Sequence, residues 1–313
     1  MNNINLEYVK IYKDLTRNAY KYSLINNEDH AAYTISLFND DYNSIDDFNK
    51  CVEMCERLGF NTYDDYCQYI QRYIKSINNV LRNRALRSIQ PQPITVPSEK
   101  IFAKLDPTRI YMALDVTHAI SQYVDSLKIF SKPFEEMVFA NLDDEYLINS
   151  KGLRIFIYTQ FRNYNFNDNL IEFTRALLDS DHELIVKLKE LGIEVASYNV
   201  DELVFDVTDY KDEIEAFVGD HVINGINTHV SLFVPHSVTY VDEATNKNKT
   251  VHIRYDILTG KSYFQQRTCK YMNQIFKVYN GIDITDEDLY VQDDFDHNSF
   301  YKLNEPITIV NVE

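Results

Sequence analysis

The sequence predicts an α+β protein in which a helical domain is followed by an antiparallel sheet packed on helices and then by a strand-rich extension. Three observations favour this class. Apolar residues recur at spacings of three and four within residues 6–89, as they do on helix faces. Alternating patterns around polar turns predict β-hairpins at 193–207 and 228–258. Three prolines within residues 90–97 separate the helical part from the rest.

The prolines also set the predicted domain boundaries. Proline stops a helix and favours extended backbone in the residue before it. We therefore expect a helical domain over residues 1–90, a linker over 91–97, an α+β domain over 98–210, and a C-terminal β-rich extension with an acidic tail over 211–313.

Individual elements are indicated by their ends. Ser44 and Thr62 each place a hydroxyl just before acidic residues and an apolar stripe, which is the signature of a helix N-terminus. Leucines on one face predict a continuous helix over 169–191, which Gly192 ends. The other elements expected are a strand at 109–115, a helix at 116–127 and a short helix near 270–280.

The composition excludes several classes of protein. The chain has only 7 glycines and contains neither GxGxxG nor GxxxxGK[ST], so dinucleotide-binding loops and P-loops are excluded. No stretch approaches the ~18 apolar residues of a membrane span, and the polar start lacks a secretory pattern. We expect a cytoplasmic protein with no membrane partner. Its 4 scattered cysteines predict buried free thiols.

The charge is unevenly distributed. The formal net charge of -17 disfavours a surface coated with phosphate-binding groups. Residues 67–98 and 257–282 nevertheless contain bases and tyrosines but no acid. These two basic islands suit a groove for a single strand or a primer-template, or else they are solvated helix faces with their rings in the core. Their bases are Arg72, Lys75, Arg82, Arg84 and Arg87 in the first island, and Lys261, Arg267, Lys270 and Lys277 in the second.

Carboxylates at two predicted strand ends form the candidate catalytic site. Asp115 ends the early strand, and Asp201 and Glu202 lie at the turn of the 193–207 hairpin. Two-metal phosphoryl transfer needs carboxylates from different strands, because the two ions share ligands. The alternative is that Asp201 and Glu202 form only a polar turn before a half-buried strand. His118 is a candidate proton carrier nearby.

The hairpin resembles a known motif. Asp201-Glu-Leu-Val-Phe-Asp-Val207 is similar to V-H-D-E-L-V-F-E-V, the last catalytic motif in the palm domain of family A DNA polymerases, with Val200 where the family has His. Asp115-Val-Thr-His-Ala-Ile120 is similar to the family's D-Y-S-Q-I-E, with Ile120 in place of the Glu. The resemblance covers residues 105–210.

The resemblance implies a palm-like domain and a DNA-polymerase-like nucleotidyltransferase. Asp115 and Asp201 would hold Mg²⁺ or Mn²⁺, with Glu202 as the acidic neighbour. Lys128 and Lys132 match the family's helical R-x-x-x-K, whose bases bind the triphosphate, but the Tyr-Gly that follows it in the family is missing. The short interval between Asp115 and Asp201 implies a reduced fingers element.

A second function class is open. A palm-like scaffold can be degenerate and serve as a non-catalytic module that binds a protein. Seven acids between Asp283 and Asp296 would attract a basic partner. The AT-rich composition is compatible with a phage or viral replication accessory protein that acts in the host cytoplasm, under either alternative.

Overall fold

The computed structural model describes residues 4–16, 28–37, 44–87, 89–90, 105–160, 166–264, 269–293 and 299–313. Helices come first, further helices separate two parts of an antiparallel sheet, and the C-terminal part is rich in strands. The predicted α+β class is confirmed. The predicted linker at 91–97 lies outside the described residues.

The N-terminal helices begin where the capping residues predict. The Ser44 hydroxyl accepts a hydrogen bond from the Asp47 amide at 3.1 Å. Thr62 and Asp65 form a reciprocal capping box, which satisfies two amides at the helix start. The helices of this part are α1 (Leu6–Thr16), α2 (Glu28–Leu37), α3 (Ile45–Leu58), α4 (Tyr63–Ser76), α5 (Asn78–Leu81) and α6 (Arg84–Arg87).

A second group of helices follows the first strand. The continuous helix predicted over 169–191 is wrong, because a 3₁₀ turn at Ala176–Asp179 and a break follow its first half. At the break, the Ser180 hydroxyl accepts from the His182 amide at 3.1 Å, and His182 Nδ1 accepts from the Leu184 amide at 3.3 Å. These two side chains cap the N-terminus of a second helix, so the first helix does not continue through this point. The group comprises α7 (Ala119–Ser126), α8 (Phe134–Phe139), α9 (Glu145–Asn149), α10 (Lys151–Thr159), α11 (Phe166–Arg175) and α12 (Glu183–Glu190).

The sheet is antiparallel, and both predicted hairpins are confirmed. Its main order is β2-β3-β1-β5-β6-β7, and β4 and β10 also pair with β5. Because β3 lies between β1 and β2, these strands and the intervening helices form a split βαβ unit. The strands are β1 (Tyr111–Val116), β2 (Val195–Tyr198), β3 (Glu202–Asp206), β4 (Gly219–Ile223), β5 (Ile226–Asp242), β6 (Lys247–Asp256), β7 (Ser262–Phe264) and β10 (Ile309–Val312), with β8 (Tyr290–Gln292) and β9 (Phe300–Lys302) in a separate pair.

The two faces of the sheet differ. Met112 and Leu114 belong to the main core, which the helices cover. Ala113 and Val204 belong to a small second cluster on the opposite face. Side chains alternate along a strand, so Asp115 lies on the face of Ala113, away from the main core.

The predicted boundary at 210 falls between strands of one sheet. Strand β5 pairs directly with β1 over Tyr111 to Val116, so it completes the same sheet. The main core also continues from α1 to the sheet without interruption. This part contains α13 (Lys211–Glu215) and α14 (Met272–Tyr279), of which α14 confirms the predicted short helix.

The cysteines are free, as predicted. Cys51, Cys55 and Cys269 are buried, and Cys67 is half-buried. Burial raises the pKa of Cys269, as expected of a thiol among apolar neighbours.

Candidate functional site

Two neighbouring strands bring the predicted carboxylates together. Asp115 on β1 lies directly opposite Glu202 on β3. Asp201 precedes Glu202 in the hairpin turn, and its carbonyl oxygen accepts a hydrogen bond from the Val116 amide at 2.8 Å. Opposed residues in an antiparallel pair share a face and have Cβ atoms about 5 Å apart. Asp115 and Glu202 therefore lie side by side on the face away from the main core.

Burial and neighbouring negative charge act on the ionisation of Asp115 and Asp201. Burial raises the pKa of Asp115 to about 8, and the negative charges of Asp201 and Glu202 add to the effect. Burial, together with the charge of Glu202, also raises the pKa of Asp201. Like charges in a shared, poorly solvated site disfavour full ionisation. The cluster is therefore one that a proton or a cation would stabilise.

Two basic side chains act on this cluster. Arg254 on β6 forms an ion pair with Glu202 at 2.7 Å, and its guanidinium lies 4.3 Å from the centre of the Phe233 ring. Lys151, at the start of α10, opposes the effects that raise the pKa values of Asp115 and Asp201. Neither base was predicted from the sequence. Only the register of β6 and the packing of α10 bring them to the hairpin, and no local pattern encodes either.

The donor chemistry of the cluster suits a divalent cation, but the side chains do not converge on one. Carboxylate oxygens are the ligands that Mg²⁺ and Mn²⁺ prefer. Across the described ranges, no group of three or more His, Cys, Asp or Glu side chains is arranged as a metal site. The Glu202 carboxylate is directed to Arg254 instead. Binding a cation would thus require Asp115 and Asp201 to turn toward a common point.

Two histidines follow or oppose Asp115, one along the chain and one in the strand register. His229 on β5 lies opposite Asp115, and its Nδ1 is 2.7 Å from a carboxylate oxygen of Asp220 on β4. His118, the residue before α7, adopts a left-handed conformation with φ 50° and lies 3.2 Å from Glu135. Each imidazole thus has a carboxylate partner, an arrangement that orients a histidine ring.

The predicted phosphate-binding lysines lie away from any helix. Lys128 and Lys132 are both exposed in the connection between α7 and α8, and Lys128 has φ 53°. The helical R-x-x-x-K arrangement is therefore not reproduced at these positions. The positive charge of Lys151 instead lowers the pKa values of both Asp115 and Asp201.

Four bases of the first basic island are exposed to solvent. Arg72, Lys75, Arg82 and Arg84 are exposed along α4 to α6, as a strand-binding groove requires. Arg87 is the last residue of α6, and its side chain is outside the described part of the structure.

Two bases of the second island, Lys270 and Lys277, are buried and so do not form part of an exposed strand-binding surface. Lys277 is 4% exposed and forms an ion pair at 2.8 Å with Asp288, which is 0% exposed. Lys270 is also buried, with its ammonium 3.0 Å from the Tyr301 hydroxyl. Lys261 is half-buried beside β7, and Arg267 lies outside the described residues. The aromatic residues of this segment line the core, which draws the lysine stems inward.

The acidic tail is partly structural as well. The Asp288 carboxylate accepts a hydrogen bond from the Tyr33 hydroxyl at 2.9 Å, which ties the tail to α2. Its other oxygen accepts from the Thr285 amide at 2.7 Å. Asp283, Asp286 and Glu287 remain exposed, whereas Asp294 and Asp296 lie outside the described residues.

Comparison with known proteins adds no relative: no protein-family model, curated protein or solved structure matches the chain. Among the helices of the described ranges, none has both the length and the apolar character needed to cross a bilayer.

Proposed function

We propose that the protein is a polymerase-like nucleotidyltransferase whose Asp115 and Asp201 hold Mg²⁺ or Mn²⁺. The observation that carries the proposal is the register of β1 and β3, which sets Asp115 beside the Asp201-Glu202 turn. The raised pKa values of Asp115 and Asp201 support it: burial is the main cause and like-charge repulsion adds to it, and a bound cation would offset both.

Each residue at the proposed site has a distinct role. When bound, the cation would supply Lewis-acid activation of a phosphate and of the attacking hydroxyl. Asp115 keeps its proton near neutral pH, and it would have to lose that proton to serve as a cation ligand. Arg254 forms an ion pair with Glu202 and so fixes the orientation of that carboxylate beside Asp115. Lys151 offers an ammonium to a phosphate group at the edge of the cluster.

We propose a nucleic-acid strand as the second substrate. Exposed bases at Arg72, Lys75, Arg82 and Arg84 support this part of the proposal, since cations along a groove follow a phosphate backbone. Charge reversal at Arg82 and Arg84 should weaken binding of a single-stranded oligonucleotide and flatten its salt dependence. Unchanged binding would remove this surface from the proposal.

The catalytic proposal is tested by primer extension with Mn²⁺ or Mg²⁺. Asp201→Asn should reduce nucleotide incorporation about 100-fold or more, because loss of a group that only supports a metal ligand already costs roughly 10–100-fold and Asp201 would be a ligand itself. Asp206→Asn is the matched control, because Asp206 lies on the same strand and pairs with Arg109, far from the turn in the register. A wild-type protein that neither incorporates nucleotide nor gains stability from Mn²⁺ plus nucleotide would refute the proposal.

A non-catalytic, protein-binding function is the second candidate. The ion pair of Arg254 with Glu202 favours it, because a base already neutralises one carboxylate of the cluster. The exposed acids of the tail would then attract a basic partner. This candidate predicts that Mn²⁺ and nucleotide leave the melting temperature unchanged.

A further inference from the structure

A cavity lies between α1, α4 and α10, and its lining shares no residue with the carboxylate cluster. Its volume is about 410 Å³. Sites for small molecules typically range from about 300 to 1,000 Å³ and combine apolar walls with a few polar groups. The lining includes Asp14 from α1, Tyr63, Tyr66 and Ile70 from α4, and Phe156 from α10.

Backbone contacts fix the walls of this cavity. A Cβ atom at Gly152 would lie 2.0 Å from the carbonyl oxygen of Asp14, so α10 and α1 meet at their backbones. The Ser150 hydroxyl donates a hydrogen bond to the Leu15 carbonyl oxygen at 2.8 Å, which joins the start of α10 to the end of α1. The shape of the cavity is therefore preformed, as it is at sites that bind without large rearrangement.

The described lining of the cavity carries a single charged side chain, and that side chain is negative. Of the described lining residues, Asp14 is the only acid, and none is Lys, Arg or His. The Tyr63 hydroxyl donates a hydrogen bond to Asp14, and no base of the described residues forms an ion pair with this carboxylate. Burial raises the pKa values of Tyr63 and Tyr66, and the negative charge of Asp14 adds to the effect. The phenols therefore stay neutral beside the carboxylate.

Aromatic rings provide the apolar part of the cavity. The ring centres of Tyr63 and Tyr66 are 5.9 Å apart, and Phe156 is 46% exposed despite its size. A carboxylate beside aromatic rings attracts an organic cation, because the charge meets the acid while the ring faces favour the cation and its apolar groups. An anion would be repelled, and a neutral ligand would leave the carboxylate without a counter-charge.

We propose that this cavity binds a small organic ammonium ion with an apolar body. The ammonium lies on Asp14, and the body packs against Tyr63, Tyr66 and Phe156. The inference does not rest on the proposed nucleotidyl transfer, since no residue of the cavity belongs to the carboxylate cluster.

The test is calorimetric titration of the full chain at pH 7 with benzylammonium, phenethylammonium and tetramethylammonium, and with neutral 2-phenylethanol. At least one ammonium should bind at least about tenfold more tightly than the alcohol, given the usual strength of a hydrogen bond to a charged group. Asp14→Asn should remove that preference while it keeps an oxygen to accept from Tyr63. Phe156→Ala should weaken binding at small cost to folding, because the side chain is exposed.

Asp64→Asn is the matched control. Asp64 is exposed on the first turn of α4 and does not line the cavity, so its removal changes the same charge nearby without changing the site. Binding should persist in this variant. Three results would overturn the proposal: no ammonium that binds below 1 mM, equal binding of the alcohol, or ammonium affinity that Asp14→Asn leaves unchanged.

Discussion

Replacement of Asp115 by Asn should make the protein more stable in alkaline solution. Asp115 is half-buried, and burial together with neighbouring negative charges raises its pKa from 3.8 to about 8. Between those two pH values the folded chain holds a proton that the unfolded chain releases. The stability from this group is therefore complete below pH 3.8 and is lost as the pH rises to about 8.

The size of the effect follows from the same pKa values. At about 1.4 kcal/mol for each pH unit in this window, Asp115 alone lowers the free energy of unfolding by roughly 4 kcal/mol between pH 5 and pH 8.5. Asp115→Asn removes that dependence, because Asn does not ionise. Asp201→Asn should reduce it in part, since Asp201 is the strongest of the charges that raise the pKa of Asp115.

Urea denaturation at pH 5 and pH 8.5 measures the difference. The comparison is the change in unfolding free energy between the two pH values, for the wild type and for each variant. Asp206→Asn is the control: burial opposes its ionisation, but hydrogen bonds from Arg109 and Thr208 prevail and lower its pKa. Its contribution is therefore constant over this range. If the wild type and Asp115→Asn depend on pH equally, the carboxylates do not form a coupled cluster.

Three further changes test other contacts. Arg254→Gln leaves Glu202 buried without its cation and should lower the free energy of unfolding by roughly 3–5 kcal/mol in urea; a loss under 1 kcal/mol would mean that the ion pair is not formed. Lys277→Met should cost a similar amount by isolating Asp288, and the double variant with Asp288→Leu should recover much of it, whereas additive losses would refute the buried pair. Gly152→Ala should lower the melting temperature, because its methyl group would overlap a carbonyl oxygen of α1 and cost roughly 1–3 kcal/mol; an unchanged melting temperature would show that the two helices are not in backbone contact.

Local signals in the sequence were sufficient for some elements. The capping hydroxyls of Ser44 and Thr62 predicted helix starts correctly, because a cap is decided within four residues. The hairpin around Asp201 was also predicted, since alternation and a polar turn define it locally. The same locality explains the error over 169–191: the leucine stripe continues through a break that polar side chains impose.

Long-range placement was beyond the sequence patterns. Lys277 lies in a segment without acids, yet it meets Asp288 through the packing of α14 on the tail. Lys151 and Arg254 reach the carboxylates only because α10 and β6 pack where they do. A single sequence shows spacing along the chain, and these contacts depend on register and packing between distant elements.

The contrast between the two buried charge clusters argues that the carboxylate cluster has a purpose beyond stability. Lys277 and Asp288 balance in charge, and Asp288 also accepts from Tyr33 and Thr285, so this cluster has the form of a structural contact. At the β1–β3 pair, three carboxylates lie on neighbouring positions of the two strands and of the turn before β3, and in the described part of the chain Glu202 forms an ion pair with Arg254. This excess of negative charge lowers the stability of the fold, and it departs from the apolar pattern of the strands around it. Conflicts of this kind concentrate at functional sites, where a ligand of opposite charge restores the balance.

Divalent cations should therefore raise the stability of the wild type at pH 8.5 by about 2.7 kcal/mol at 100 times their dissociation constant, and should leave Asp115→Asn less affected. A wild type that Mg²⁺ and Mn²⁺ do not stabilise would leave the excess charge to a different cationic ligand and would rule out the metal site.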